Sequence, residues 1–157
     1  MAQHDEAATN RARPPGTPGA FSRWLQRTAN ARTMKKIRRG KGRSMGMDML
    51  ILHTIGRRSG QPRETPLMRL PDGDDAVLVV ASGGGSVNPD WHANLMAQPD
   101  RVSVELPGRE PVSATARELR GTEREQAWQR LAAEQSRIAK YQGKSDREYP
   151  LIRLTLL

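Results

Sequence analysis

Thr54-Ile55-Gly56-Arg57-Arg58-Ser59-Gly60-Gln61-Pro62-Arg63-Glu64-Thr65-Pro66 is the stretch on which the fold turns. It follows the short apolar run Met49-Leu50-Ile51-Leu52 and leads into a second strand-like run, Glu64 to Leu70, bounded by Pro62 and by Pro71-Asp72-Gly73-Asp74. Between two strands it offers two glycines, a hydroxyl, backbone amides and three arginines. Glycine lets backbone N–H groups approach a ligand closely. Arginine supplies planar, bidentate donors suited to phosphate and carboxylate. Such a loop is physically suited to cradle an anion, and it also reads as an ordinary exposed hairpin with solvated arginines. It is not a Walker loop, because the Gly-Lys-Ser/Thr ending is missing, and no G-x-G-x-x-G opens a helix here.

The strand pattern continues outward. Ala76 to Ala81 is nearly continuous in apolar residues, which predicts a strand buried on both faces. Val102–Leu106 and Pro111–Arg117 flank Pro107-Gly108, a hairpin turn, and Leu151 to Leu157 is a final strand. Asn88-Pro89 predicts a helix start, with Asn as cap and Pro at the first helical position, and Pro99 a stop. Thr122 and Glu125 have capping-box spacing ahead of a helix that places Trp128 and Leu131 on one face. From Ala20 to Arg39 a basic helix is expected, with Phe21, Trp24, Leu25 and Thr28 on one stripe, ending in the glycine-rich Gly40–Gly46 segment. Short strands joined by Gly/Pro turns, with helices at the edges, predict a mostly β, α+β fold built as an antiparallel barrel. The expected organisation is a disordered tail over 1–19, a basic amphipathic helix and linker over 20–45, and a barrel over 46–157.

Composition sets limits. The chain has 157 residues, enough for one domain with a modest aliphatic core, since aromatics make up only 4%. It has no cysteine, which excludes disulfides and thiolate chemistry and fits a reducing cytoplasm. No window is long and apolar enough to span a bilayer, and the basic N-terminal segment lacks the apolar run of a signal peptide. The net charge of +9 is uneven: residues 1–63 carry +11 and the remainder −2. That basicity points to an anionic partner, whether a phosphorylated ligand, a membrane surface or nucleic acid. Nucleic acid is disfavoured by the low aromatic content and the absence of a recognition motif.

A second glycine-rich loop, Ala81-Ser82-Gly83-Gly84-Gly85-Ser86, follows the buried strand, and either a flexible link or a backbone surface for a flat ligand fits it. His53 and His92 lack metal-ligand spacing and read as packing or rim residues, so no metal is expected.

In order and spacing, four pieces resemble the deazaflavin-dependent nitroreductase family: T-x-G-R-x-S-G-x-P-R at Thr54–Arg63 with Pro66 following, the Asp72-Gly73 turn, A-S-G-G at Ala81–Gly84, and N-P-x-W-x-x-N-L at Asn88–Leu95. Tyr141-Gln142, Asp146-Arg147 and Pro150 also fit. The resemblance implies a split β-barrel that binds coenzyme F420 and passes a hydride from the reduced deazaflavin to a quinone, enone or nitro acceptor. It implies that Arg57, Arg58, Ser59 and Arg63 hold the coenzyme's phosphate and oligoglutamate tail. Pro66, Ala81 and Ser82 would floor the deazaflavin ring, and Trp91 and Asn94 would complete the pocket. Trp91 reads equally as a core anchor. Tyr141 is the candidate proton donor, with Ser82 or water as the alternative.

The chain departs from the family pattern at Gly83, where a Lys is common, and at Gln135, Ile138 and Met68, where tyrosines are expected. These changes leave room for a non-catalytic F420 carrier, and related split barrels bind flavin mononucleotide instead. The basic helix suits either packing on the barrel or docking on anionic lipid, which places the protein in the cytoplasm, free or at the inner face of the plasma membrane.

Overall fold

The computed structural model describes residues 20–83 and 87–157, with side chains from residue 25 onward. The expected tail over 1–19, the side chains of Phe21 and Trp24, and Gly84–Ser86 lie outside the described residues. Helix α1 (Ala20–Arg38) is followed by strands β1 (Arg43–Ser44), β2 (Met47–Ile55), β3 (Pro62–Met68), β4 (Leu70–Pro71) and β5 (Ala76–Val80). Then come α2 (Asp90–Ala97), β6 (Val102–Glu105), β7 (Val112–Glu118), α3 (Gly121–Glu134), α4 (Ser136–Gly143) and β8 (Leu151–Leu156).

All strand pairs are antiparallel, in the order β1-β2-β6-β7-β8-β5-β4, with β3 on the other flank of β2. Because β3 runs into β4 through the single residue Arg69, the two outer edges of the sheet meet along one continuous piece of chain. The sheet therefore curls into a split barrel.

Local chemistry explains the turns. Leu106-Pro107-Gly108-Arg109 closes with Arg109 N donating to Leu106 O at 3.0 Å, and Gly108 has φ +67°. Pro in the second position and a left-handed Gly in the third are what a type II turn requires. The two-residue hairpin at Met45-Gly46 was not expected within the Gly40–Gly46 break. Both residues have positive φ, and Met45 accepts a conformation that glycine or asparagine normally fills.

Period-2 alternation divides the interior. Leu50, Leu52, Val77, Val79, Val104, Ile152 and Leu154 face the barrel core with Trp91 and Leu95 of α2. Leu78, Val80 and Leu151 face the other way, onto Leu131, Ala127 and Ile138 of α3 and α4. The continuous burial of β5 expected from its sequence is thus accounted for by a layer on each face. Ile138, which stands at an expected tyrosine position, is a core residue here.

Two expected caps differ. Helix α2 starts one residue later than expected, so its N-cap is Pro89, which has no side-chain acceptor, and the Asn88 amide oxygen accepts from Arg147 instead. The capping box at Thr122–Glu125 does not form: α3 begins at Gly121, so Thr122 is already inside the first turn.

Helix α1 covers the outer face of β2, β3 and β6. Its Arg38 donates to Glu105 through Nε at 3.1 Å and Nη2 at 2.8 Å, and to Glu64 at 2.9 Å. His53 Nε2 lies 2.6 Å from Glu105 Oε2. His53 is therefore more than a rim residue. His53, Glu64 and Glu105 bring ligand-type atoms within 4.8 Å of one another, but the cation they hold is the Arg38 guanidinium. The hydrogen bonds from Arg38, and secondarily from His53, keep the Glu105 carboxyl below its usual pKa despite partial burial.

Candidate functional site

The β2–β3 connection is held rigid by its own backbone. Gly56 N donates to Gln61 O and Gly60 N to Gly56 O, both at 2.8 Å, and Gly60 has φ +68°. The Ser59 hydroxyl is centred in the turn, accepting from Gln61 N at 3.2 Å and from Arg63 Nη2 at 3.5 Å. A Cβ on Gly56 would lie 2.5 Å from that hydroxyl, so only glycine leaves the Ser59 oxygen where it is. The loop lines one side of a cleft of about 420 Å³, shared with α1 and α2.

Six of the nine expected coenzyme residues line this cleft: Arg57, Arg58, Ser59, Arg63, Trp91 and Asn94. They do not act alike. Arg57 is bound to α2: its backbone N donates to Asn94 Oδ1 at 3.1 Å, its Nη1 to the same oxygen at 2.9 Å, and its Nη2 to Asp90 Oδ1 at 3.3 Å. Asn94 is buried and serves as the acceptor that ties loop to helix. Trp91 both lines the cleft and packs in the barrel core, so its two expected roles coincide. Arg58 makes no ion pair or hydrogen bond among the described residues, and Arg63 contacts only the neutral Ser59 hydroxyl.

Arg27 of α1 also lines the cleft and makes no ion pair or hydrogen bond among the described residues. Sequence reasoning missed it, because one exposed arginine on a basic helix carries no local signal. Three guanidinium groups without carboxylate partners among the described residues, sharing the cleft with a serine hydroxyl, form a donor set for phosphate or carboxylate oxygens.

Pro66, Ala81, Ser82 and Tyr141 do not line this cleft. Pro66 sits opposite Ile51 on β3, one residue beyond Thr65, which does line it. Ala81 is fully buried in the same core cluster as Trp91, and its N donates to Pro150 O at 2.9 Å. The Ala81 and Ser82 carbonyls accept from Arg147. Tyr141 on α4 is 51% exposed, and its carbonyl accepts from the Tyr149 hydroxyl at 3.2 Å. His92, next to Trp91, has its pKa pushed down by burial, against the opposing pull of Glu118 3.7 Å away.

The family described as F420H(2)-dependent quinone reductase matches residues 24–155. A Mycobacterium tuberculosis protein named as an F420H(2)-dependent quinone reductase is 32% identical over 146 residues, covering 86% of this chain and 97% of the relative. A solved structure described as an F420-H2 dependent reductase is 36% identical, with TM-score 0.59, over 68% of this chain and 92% of the other. Another, described as a domain-swapped dimer, is 30% identical with TM-score 0.62, over 86% and 99% of the two chains.

Proposed function

Because the chain belongs to the F420H(2)-dependent quinone reductase family, we propose that the arginine-lined cleft holds the anionic part of coenzyme F420 while the adjoining barrel edge presents its ring to a quinone. The protein is an oxidoreductase, and its coenzyme is F420. The observation that carries the site assignment is the set Arg27, Arg58 and Arg63, none with a carboxylate partner among the described residues, lining the cleft with Ser59 in a loop whose Gly56 has no room for a Cβ. The donor chemistry fits a phosphate diester and glutamate carboxylates.

When bound, the reduced deazaflavin supplies the hydride. The chain's own residues supply the rest. Arg58, Arg63 and Arg27 neutralise the tail, and Ser59 donates to a phosphate oxygen. Arg57, tied to Asn94 and Asp90, keeps the loop at its distance from α2 instead of acting as a free anion ligand. Trp91, Pro66 and the Ala81–Ser82 turn form the apolar and backbone floor of the ring end. Tyr141 delivers the proton that completes quinone reduction, with the Ser82 hydroxyl as the alternative donor.

The test is anaerobic reduction of menadione by the reduced deazaflavin with wild-type and Tyr141→Phe protein. Wild-type turnover with a severalfold lower kcat in the variant is expected. Equal kcat in the two proteins removes Tyr141 from the mechanism. Coenzyme binding without oxidation by any acceptor would favour the carrier reading.

The outer side of α1 offers a docking surface for anionic lipid. Leu25, Lys35, Lys36 and Arg39 are exposed, and none of these cations is paired with an acid among the described residues. No described helix is long and apolar enough to cross a membrane. Peripheral contact at the inner face of the plasma membrane would bring the enzyme to lipid-dissolved quinone. Equal sedimentation with anionic vesicles for the full chain and for a chain lacking residues 1–40 would end this reading.

A further inference from the structure

Beyond β5 the backbone loses its ladder. The last paired residue is Val80, opposite Leu151, and one more bond follows from Ala81 N to Pro150 O. The next carbonyls have no strand partner, and buried backbone acceptors need one. Arg147, in the link between α4 and β8, supplies it. Its Nη1 donates to Ala81 O at 3.1 Å and to Asn88 Oδ1, and its Nη2 donates to Ser82 O. One guanidinium thus spans the end of β5 and Asn88, two residues ahead of α2.

Arg147 is itself held from several sides. Its backbone N donates to Ser145 Oγ at 3.2 Å, and its carbonyl accepts from Gln142 Nε2 at 2.8 Å. Its guanidinium carbon lies 4.9 Å from the centre of the Tyr149 ring. The turn it grips is close-fitting: Gly83 has φ +58°, and a Cβ there would be 3.2 Å from Pro89 Cδ. Lysine has one compact donor centre and cannot reproduce a fork that reaches two carbonyls and an amide oxygen.

We propose that Arg147 is a positioning residue for the reaction, fixing the Ala81–Ser82 turn against the start of α2 so that the floor beneath the coenzyme ring is preformed. The inference rests on the reading that this turn faces the ring. It adds a role for a residue outside the lining of the arginine cleft. A scaffold role alone would weaken the barrel as a whole. A positioning role loosens the turn and weakens coenzyme binding while the barrel ladder stays protected.

The test combines amide hydrogen exchange with deazaflavin fluorescence titration on the full chain, for wild type, Arg147→Lys and Arg147→Ala. In Arg147→Lys, exchange at Ala81, whose N–H donates to Pro150 O at the end of the ladder, should rise about tenfold, with protection at Val77 and Val79 unchanged and coenzyme affinity about tenfold weaker. Millimolar guanidinium should restore much of the affinity lost in Arg147→Ala. Wild-type exchange at the turn in both variants overturns the proposal, as does protection lost evenly across the barrel. If Arg147→Ala fails to fold, Arg147→Lys still decides. Failure of wild-type protein to bind the deazaflavin would refute the functional reading, and the exchange data would still judge the latch.

Discussion

Asn94 provides a way to separate the architecture of the cleft from its charge. Its Oδ1 accepts two hydrogen bonds from Arg57, one from the backbone and one from the guanidinium. Asn94→Ala removes both acceptor contacts from a buried position. The neutral bond is worth about 1 kcal/mol and the charged one about 1.5–3, so a loss of roughly 2–3 kcal/mol is expected, Arg57 keeping Asp90 as a partner. Asn94→Asp retains the acceptor and strengthens the link to Arg57, and should change stability by less than about 1 kcal/mol.

The aspartate nevertheless adds a negative charge to a cleft proposed to bind anions. For charges roughly 5–8 Å apart at an effective dielectric of about 40, the repulsion is about 1–1.7 kcal/mol per anionic group, or roughly five- to fifteenfold in affinity. Chemical denaturation and deazaflavin titration measure the two quantities separately. Affinity lost in Asn94→Asp with stability retained is the expected result. Unchanged affinity would refute the idea that this cleft receives an anion.

Other perturbations follow from the same geometry. Gly56→Ala should push the Ser59 hydroxyl aside, costing about 1 kcal/mol of stability and weakening coenzyme binding severalfold, as read by denaturation and titration. Thr54→Val should leave stability equal or slightly raised in a thermal melt, because Thr54 Oγ1 is buried with no hydrogen-bond partner among the described residues. Stability should fall with acid in two stages. His92, lowered from 6.5, is destabilising as the unfolded chain takes up its proton below that pH, and Glu105, lowered from 4.5, stabilises above that value and loses its contribution as pH falls through its folded pKa. Glu105→Gln should be less stable at neutral pH, with a flatter decline below pH 4.5 in pH-dependent denaturation.

What the sequence made legible was local. Pro107-Gly108, the all-apolar β5 and the glycines of the β2–β3 turn each state their conformation within a few residues, and together they predict an antiparallel barrel. Met45-Gly46 escaped because methionine is a poor signal for a left-handed turn, and the turn is held by strand pairing on either side. The missing parts of the site are long-range. Arg57 looks like an anion ligand in sequence, and only the approach of α2, 33 to 37 residues later, gives it to Asp90 and Asn94. Arg38 meets Glu105 across 67 residues, and Arg147 meets Ala81 across 66. Charge pattern pointed to the β2–β3 loop, and partnering separates Arg57, tied to Asn94 and Asp90, from Arg58, which has no acidic partner among the described residues.

Titration of coenzyme F420 into wild type and the Arg58→Ala/Arg63→Ala variant, across a range of salt concentrations, asks whether the cleft's arginines bind the coenzyme's anionic tail. Wild-type binding should weaken with salt, and variant binding should be weaker by about tenfold or more with a shallower salt dependence. Identical affinity and identical salt dependence in the two proteins, with the fold intact, would contradict that role for the arginines.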